Sequence, residues 1–287
     1  MNRNADRTGQ QEGFTPQDTD TIPPVATENT GGGGLFNWSA PTEFVKLPSK
    51  GQFYAPSHPL HQEDTVEIKY MTAKEEDILT SKSLLTKGVA IDRLLESLIL
   101  NKAIDISTLL VGDKNAIIMA ARVTGYGDNY ATSVTCPQCQ TSIEHDFDLS
   151  DIPCRDHHEG LQNHNITISE AGTFNLLLPF TKVTVECRFL TGKDEMKMLK
   201  KARTNRNEEA NLTDTLRALI MSVNGNPDAI DIASFINMMP ARDSRYIREV
   251  LSEITPNVDM QQAFECTACG YASQLEVPLT TDFFWPK

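Results

Sequence analysis

Long apolar runs are missing from this chain. No stretch of about 18 apolar residues occurs, so no segment reads as a membrane-spanning helix. Basic charge is also short: 26 Lys and Arg face 39 Asp and Glu, a net charge of −13. Nucleic-acid binding rests on Lys and Arg neutralising phosphates, so an acidic balance argues against that role and against an anionic membrane surface. The opening MNRNADRTGQQEG has no apolar stretch of a secretory signal, so the expected setting is a reducing cytoplasm. There, cysteines serve more often as metal ligands or free thiols than as disulfides. The sequence contains no GxxxxGK[ST], GxSxG, HExxH or GxGxxG, and no nucleophile, base and oxyanion donor converge on a motif. No catalytic residues are assigned and no enzyme is expected.

What is present suits a partly globular chain. Its 287 residues fit one large domain or two ordinary ones, and 39 % hydrophobic residues leave ample material for a core. Residues 1–40 are polar and carry Pro23-Pro24 and the run Gly31 to Gly34. Such a segment buries too little apolar area to offset its ordering entropy, so it reads as a disordered arm. Leu35, Phe36 and Trp38 are its candidate anchors on a partner.

The rest reads as α+β, with two look-alike units at 41–150 and 180–287 separated by a loop and linker at 151–179. Val66-Glu67-Ile68-Lys69-Tyr70-Met71-Thr72 parallels Val185-Glu186-Cys187-Arg188-Phe189-Leu190-Thr191. Each alternates like a half-buried strand and then reaches a Thr with acids three and four positions on, a helix start. Ile91, Leu94, Leu95 and Leu98 form one helical stripe; Leu212, Leu216, Leu219, Ile220 and Val223 form its counterpart. Ala103-Ile104-Asp105-Ile106 recurs as Ala229-Ile230-Asp231-Ile232. Asp113, Ile117, Cys136 and Cys139 stand 130 residues before Asp243, Ile247, Cys266 and Cys269. The expected fold is therefore a tandem duplication of one α/β unit.

The cysteines carry the chemistry. Cys136-Pro137-Gln138-Cys139 and Cys266-Thr267-Ala268-Cys269 each have knuckle spacing, in which a tight turn aims two thiolates at one point. Strand-like segments flank both pairs, as in each half of a zinc ribbon. The expectation is one structural zinc held by all four sulfurs, riveting the two units together. A redox dithiol would sit at a helix start, and a catalytic zinc would need an open position, which four thiolates close. Ordinary free thiols are the remaining alternative. Cys187 reads as a small core residue in a strand. His157, His158 and His164 fall in the polar stretch 151–165 and read as solvated. Lys193, Lys197, Lys200 and Lys201, followed by Arg203 and Arg206, form a basic helix face best read as solvated.

The block from Phe44-Val45-Lys46-Leu47-Pro48-Ser49-Lys50-Gly51 to Tyr54, followed by Val66 to Leu79, resembles the baseplate hub proteins of contractile-tailed bacteriophages. Gly112-Asp113-Lys114-Asn115-Ala116 and Gly125-Tyr126-Gly127, leading into the first cysteine pair, continue the likeness. It is closest over 42–150 and weaker over the second unit. The resemblance implies a non-enzymatic structural or assembly protein of the tail baseplate hub, with other phage tail or hub proteins as partners. It implies a place in the host cytoplasm during assembly and in the virion tail. Leu47, Pro48 and Lys50 are candidate contacts, because an extended Pro/Gly segment has backbone free to add to a partner. The alternative for them is a turn packed on its own domain. The alternative function is a zinc-ribbon nucleic-acid-binding or transcription accessory factor. The oligomeric state is left open.

Overall fold

The computed structural model describes residues 39–204, 212–279 and 281–284. The chain divides into Met1–Pro41 and a compact unit, Thr42–Lys287. Leu35, Phe36 and Trp38 lie outside the described residues.

The first half of the compact unit opens with an antiparallel pair, β1 (Thr42–Lys46) and β2 (Thr65–Lys69). Helices α1 (Ala73–Thr80), α2 (Lys82–Lys87) and α3 (Ala90–Leu98) follow, then a 3-10 turn at Ile106–Thr108 and the long α4 (Val111–Tyr126). It ends in the hairpin β3 (Asn129–Thr135) and β4 (Ser142–Asp148). A short helix, α5 (His158–Asn163), comes next. The second half runs β5 (Phe174–Leu177), β6 (Thr184–Cys187), α6 (Gly192–Thr204), α7 (Leu212–Leu219), β7 (Ile220–Val223), α8 (Ala229–Met238) and α9 (Ala241–Ile254). The hairpin β8 (Gln261–Glu265) and β9 (Ala272–Glu276) and a 3-10 turn at Thr281–Phe284 complete it. The class is mixed helix with small antiparallel sheets.

The two series share an order, and the shared local chemistry explains why. At the start of α1, Glu75 reaches back to accept from the Thr72 amide at 3.0 Å and its hydroxyl at 2.5 Å. At the start of α6, Asp194 accepts from the same groups of Thr191 at 3.0 and 2.8 Å. A cation on the preceding strand end completes each: Lys69 to Glu75 at 2.6 Å, and Arg188 to Asp194 through two bonds at 2.7 and 2.9 Å. Acid-to-hydroxyl reciprocity and a negative charge in the first turn fix where both helices begin.

A second matched device lies at the first turn of α4 and α9. Asp113 accepts from the Ser49 amide and hydroxyl and from the Tyr54 hydroxyl. Asp243 accepts from the amides of Phe180 and Thr181. Each carboxylate thereby ties the turn after Leu47-Pro48 or Leu178-Pro179 to a helix start. Both acids are fully buried, and so are Leu47 and Leu178.

The structure departs from the sequence reading in several places. The stretch 151–179 holds α5 and β5, so it is not a plain linker. The second series begins one strand earlier than the expected boundary at 180, at β5, the counterpart of β1. The identical tetrapeptides adopt different structures. Ala103-Ile104-Asp105-Ile106 is a turn, whereas Ala229-Ile230-Asp231-Ile232 opens α8. The cause is capping: Asp228 accepts from the Ile230 and Asp231 amides, while Asp105 accepts only from Ser107, further along its own segment. The third strand, β7, has only an isolated bridge, Ile68 to Ile99, at the matching place in the first half.

The halves do not keep separate cores. One continuous cluster of buried residues takes in Ile68, Leu95 and Ile117 from the first and Val185, Cys187 and Ile247 from the second. Backbone bonds clasp them: the Val111 amide to the Leu190 carbonyl and the Gly192 amide to the Leu109 carbonyl. The segments after the hairpins cross over. Helix α5 packs on α9, and Phe283 and Phe284 reach back to the first half, where their turn packs on α4. The linker also joins the second half through the Arg155 amide to the Asn257 carbonyl.

Candidate metal centre

Each cysteine pair sits at the tip of a hairpin. Strands β3 and β8 run into Cys136 and Cys266, and the chain turns back through Cys139 and Cys269. The turns match bond for bond. The Cys136 amide donates to the Thr141 carbonyl at 2.9 Å and the Gln140 amide to the Cys136 carbonyl at 2.9 Å. The Cys266 amide donates to the Tyr271 carbonyl and the Gly270 amide to the Cys266 carbonyl, both at 2.8 Å. Closing this knuckle takes a left-handed residue after the second cysteine. Gly270 supplies it at φ 71°, and Gln140 adopts it at φ 59°.

The hairpins lie side by side. The Asp148 amide donates to the Gln262 side chain at 3.0 Å, and that side-chain amide donates back to the Asp148 carbonyl. His145 meets the Phe264 ring edge-on at 5.4 Å. Beneath the tips a small apolar cluster forms from Cys136, Cys266 and Phe264, with Val134, Ile143 and Leu275 against it. Its buried members are distinct from the main core, with Val134 packed against both.

This packing brings four sulfurs together. The Cys136 and Cys269 sulfurs are 3.8 Å apart, those of Cys139 and Cys266 3.7 Å, and all four lie within 4.8 Å of one another. Both short pairings run between hairpins. A disulfide needs sulfurs at about 2.05 Å, so these are free thiols. Four thiolates about 2.3 Å from a central ion stand about 3.8 Å apart at the corners of a tetrahedron. The spacing fits a tetrahedral metal ion. The first cysteine of each pair is buried and the second exposed.

The neighbouring thiols affect one another's ionisation. Hydrogen bonds from Thr141 lower the Cys139 thiol to about 6. For Cys269 the Tyr271 amide favours the thiolate, but burial and the neighbouring thiols push it up to about 12. Thiolates this close repel, so a cation is what allows all four to ionise together.

The other candidates fall elsewhere. Leu47 and Pro48 are buried, which removes their side chains as surface contacts; they belong to a turn packed on its own domain. Lys50 is exposed, with its ammonium 3.4 Å from the His158 ring nitrogen. His157 is not solvated but 1 % exposed, edge-on to Phe53 at 5.1 Å. Burial, then His158 and Lys50, lower its pKa to about 4, so it is neutral. Of the basic face, Lys201 is spent on Asp214 at 2.5 Å, and Lys200 is engaged too. The Arg203 side chain and Arg206 lie outside the described residues. Asp113 and Asp243 are the site-like residues whose partners the sequence hid, because their bonds cross 59 to 64 residues.

Fold and site together define a scaffold: an α+β body with one core and a four-cysteine cluster able to hold a metal ion at its hairpin tips. The chain belongs to the T4 bacteriophage base plate protein family, whose sequence model matches residues 40–285. It is thus a structural phage tail component, and the match implies contact with other baseplate proteins. Searches of curated proteins and of solved structures gave no significant match. No helix among the described residues is long and apolar enough to cross a membrane.

Proposed function

We propose that this protein is a non-enzymatic component of the baseplate hub, acting by protein–protein recognition, with one structural zinc bound by Cys136, Cys139, Cys266 and Cys269. The observation that carries the reading is the family match over 40–285 in a chain whose four thiols stand at tetrahedral spacing. Zinc suits an all-thiolate shell, and four thiolates leave no open position for a substrate. Its role is to lock the hairpins of the two halves together. We read those halves as copies of one ancestral unit, because the Thr72 and Thr191 helix starts, the Asp113 and Asp243 ties and the two knuckles recur in order. Leu35, Phe36 and Trp38 serve as anchors for a partner, and Lys50 as an exposed contact. The protein assembles in the host cytoplasm and joins the tail.

Affinity capture of the tagged chain from infected cells tests this reading. Tail and hub components should be recovered; RNA polymerase subunits in their place would overturn it. The second reading, nucleic-acid binding, draws on Lys193 and Lys197, which share the basic face of α6 and meet no carboxylate among the described residues. Fluorescence polarisation with duplex and single-stranded DNA should show no binding at low salt. A log affinity that falls steeply with log salt would favour that reading instead.

A further inference from the structure

One cavity lies away from the cysteines, where α7 and α9 meet Leu110 and the first turn of α4. It is a groove of about 600 Å³. Its wall is mainly apolar, built by Phe189, Leu190, Leu212, Leu216, Leu251 and Pro256. Leu212 is 41 % exposed there, although its helix buries Leu216 and Leu219. The volume lies within the roughly 300–1,000 Å³ range of sites that bury most of a small ligand, which is room for a few side chains.

Two exposed arginines stand on the same groove, Arg155 from the linker and Arg248 from α9. Among the described residues the Arg155 guanidinium donates only to the Ser252 carbonyl, at 3.4 Å, and the Arg248 side chain makes no hydrogen bond or ion pair. Several other arginines are taken up by carboxylates, Arg188 by Asp194, Arg217 by Asp214 and Arg245 by Glu249, while Arg122 donates to the Gly127 and Asn129 carbonyls and Arg242 lies over the Phe180 ring. In a chain of net charge −13, two guanidiniums left without an acid beside an apolar wall are a pattern complementary to carboxylates flanking large apolar side chains. Arg beside a desolvated apolar pocket is also the composition that concentrates binding energy at interfaces.

We infer that this groove receives an amphipathic segment of another baseplate protein, its apolar side chains against Leu212 and Leu251 and its carboxylates on Arg155 and Arg248. The partner's class rests on the function proposed above; the groove and its chemistry do not. Two helical peptides with one Leu/Phe stripe, flanked by Glu in the first and by Lys in the second, are the probes. Fluorescence polarisation with the full chain should show the Glu peptide binding at least tenfold more tightly than the Lys peptide. Arg155→Glu combined with Arg248→Glu should reverse that order, and Leu212→Asp should weaken both peptides. The altered side chains are exposed, so far-ultraviolet circular dichroism should be unchanged. Equal binding of both peptides, binding of neither, or an order that survives the arginine reversals would overturn the inference. The two proposals separate cleanly. If the peptides behave as expected but no tail component is captured from infected cells, the baseplate reading fails and the groove stands. If tail components are captured while the double variant leaves the peptide order unchanged, the groove fails and the baseplate reading stands.

Discussion

Glu75 and Asp194 show how much of this fold is held by single carboxylates. Burial works against the Glu75 charge, but bonds from Lys69, Ser97 and Thr72 outweigh it and bring its pKa to about 2. Burial opposes Asp194 too, and Arg188 and Thr191 likewise bring it to about 2. Both values lie below the roughly 4 expected of an unfolded chain. A depressed folded pKa means stability that is complete above about pH 5 and lost as pH falls from there towards 2. Thermal melts between pH 7 and pH 3 should therefore show a falling midpoint. Glu75→Gln and Asp194→Asn should each lower the pH 7 midpoint and flatten the acid slope; an unchanged slope would contradict the assignment. Gln140 offers a second test at this scale. Its left-handed backbone costs a non-glycine residue about 1–2 kcal/mol, and Gly270 fills the matching place. Gln140→Gly should leave stability unchanged or raise it by up to about 1 kcal/mol in urea melts, whereas Gly51→Ala should lower it. A Cβ on Gly51, at φ 68°, would meet the Glu63 amide nitrogen at 2.4 Å.

Among the elements, the cysteine hairpins stand apart. The apolar cluster beneath their tips is small, so the tips rest on the Gln262 bonds and the proposed metal, while Tyr130 and Phe147 anchor the base of β3 and β4 in the main core. Cys136→Ser or Cys266→Ser should abolish zinc binding and release amide-exchange protection at the cysteine ends of the β3–β4 and β8–β9 hairpins. Protection in α4 and α9 should persist, because Ile117 and Ile247 sit in the main core. The loss of stability should fall below the 10 kcal/mol or so that zinc contributes to an isolated zinc finger. Loss of protection throughout the chain would show that the ion organises the core as well. Helix α8 teaches a different lesson. Its first four letters copy those of a turn in the first half, yet Asp228 caps them into a helix. A matching tetrapeptide does not carry its structure with it when the residue before it differs.

At the scale of the molecule, the two halves are interlocked rather than strung together. They share a core, clasp through Val111 and Gly192, and exchange the segments that follow their hairpins. A single four-cysteine cluster can hold one ion, so the proposed zinc should be found at one per chain by elemental analysis of protein purified under reducing conditions. Two ions, or none, would mean that the hairpins do not share a site. Because binding must displace protons from the thiols, zinc should be released as pH falls, with chelator-competition curves shifting accordingly. Capture of the intact chain in baseplate intermediates is the corresponding test of function.

Much was legible in the residues themselves. Local patterns marked the strand before Thr72 and the strand before Thr191, the helix starts, the α3 stripe, the Leu212, Leu216 and Leu219 part of the second stripe and both knuckles, because each depends on neighbours a few positions away; Ile220 and Val223, which continued that stripe in the sequence, instead form strand β7 against β6. The spacing of the cysteines within matched hairpins was enough to group all four sulfurs. The ties of Asp113 to Ser49 and of Asp243 to Phe180, the burial of Leu47 and His157, the merging of two cores into one and the groove beside Arg248 were decided only in three dimensions. They depend on which surfaces meet after elements far apart in the chain have packed, and no short-range pattern records that.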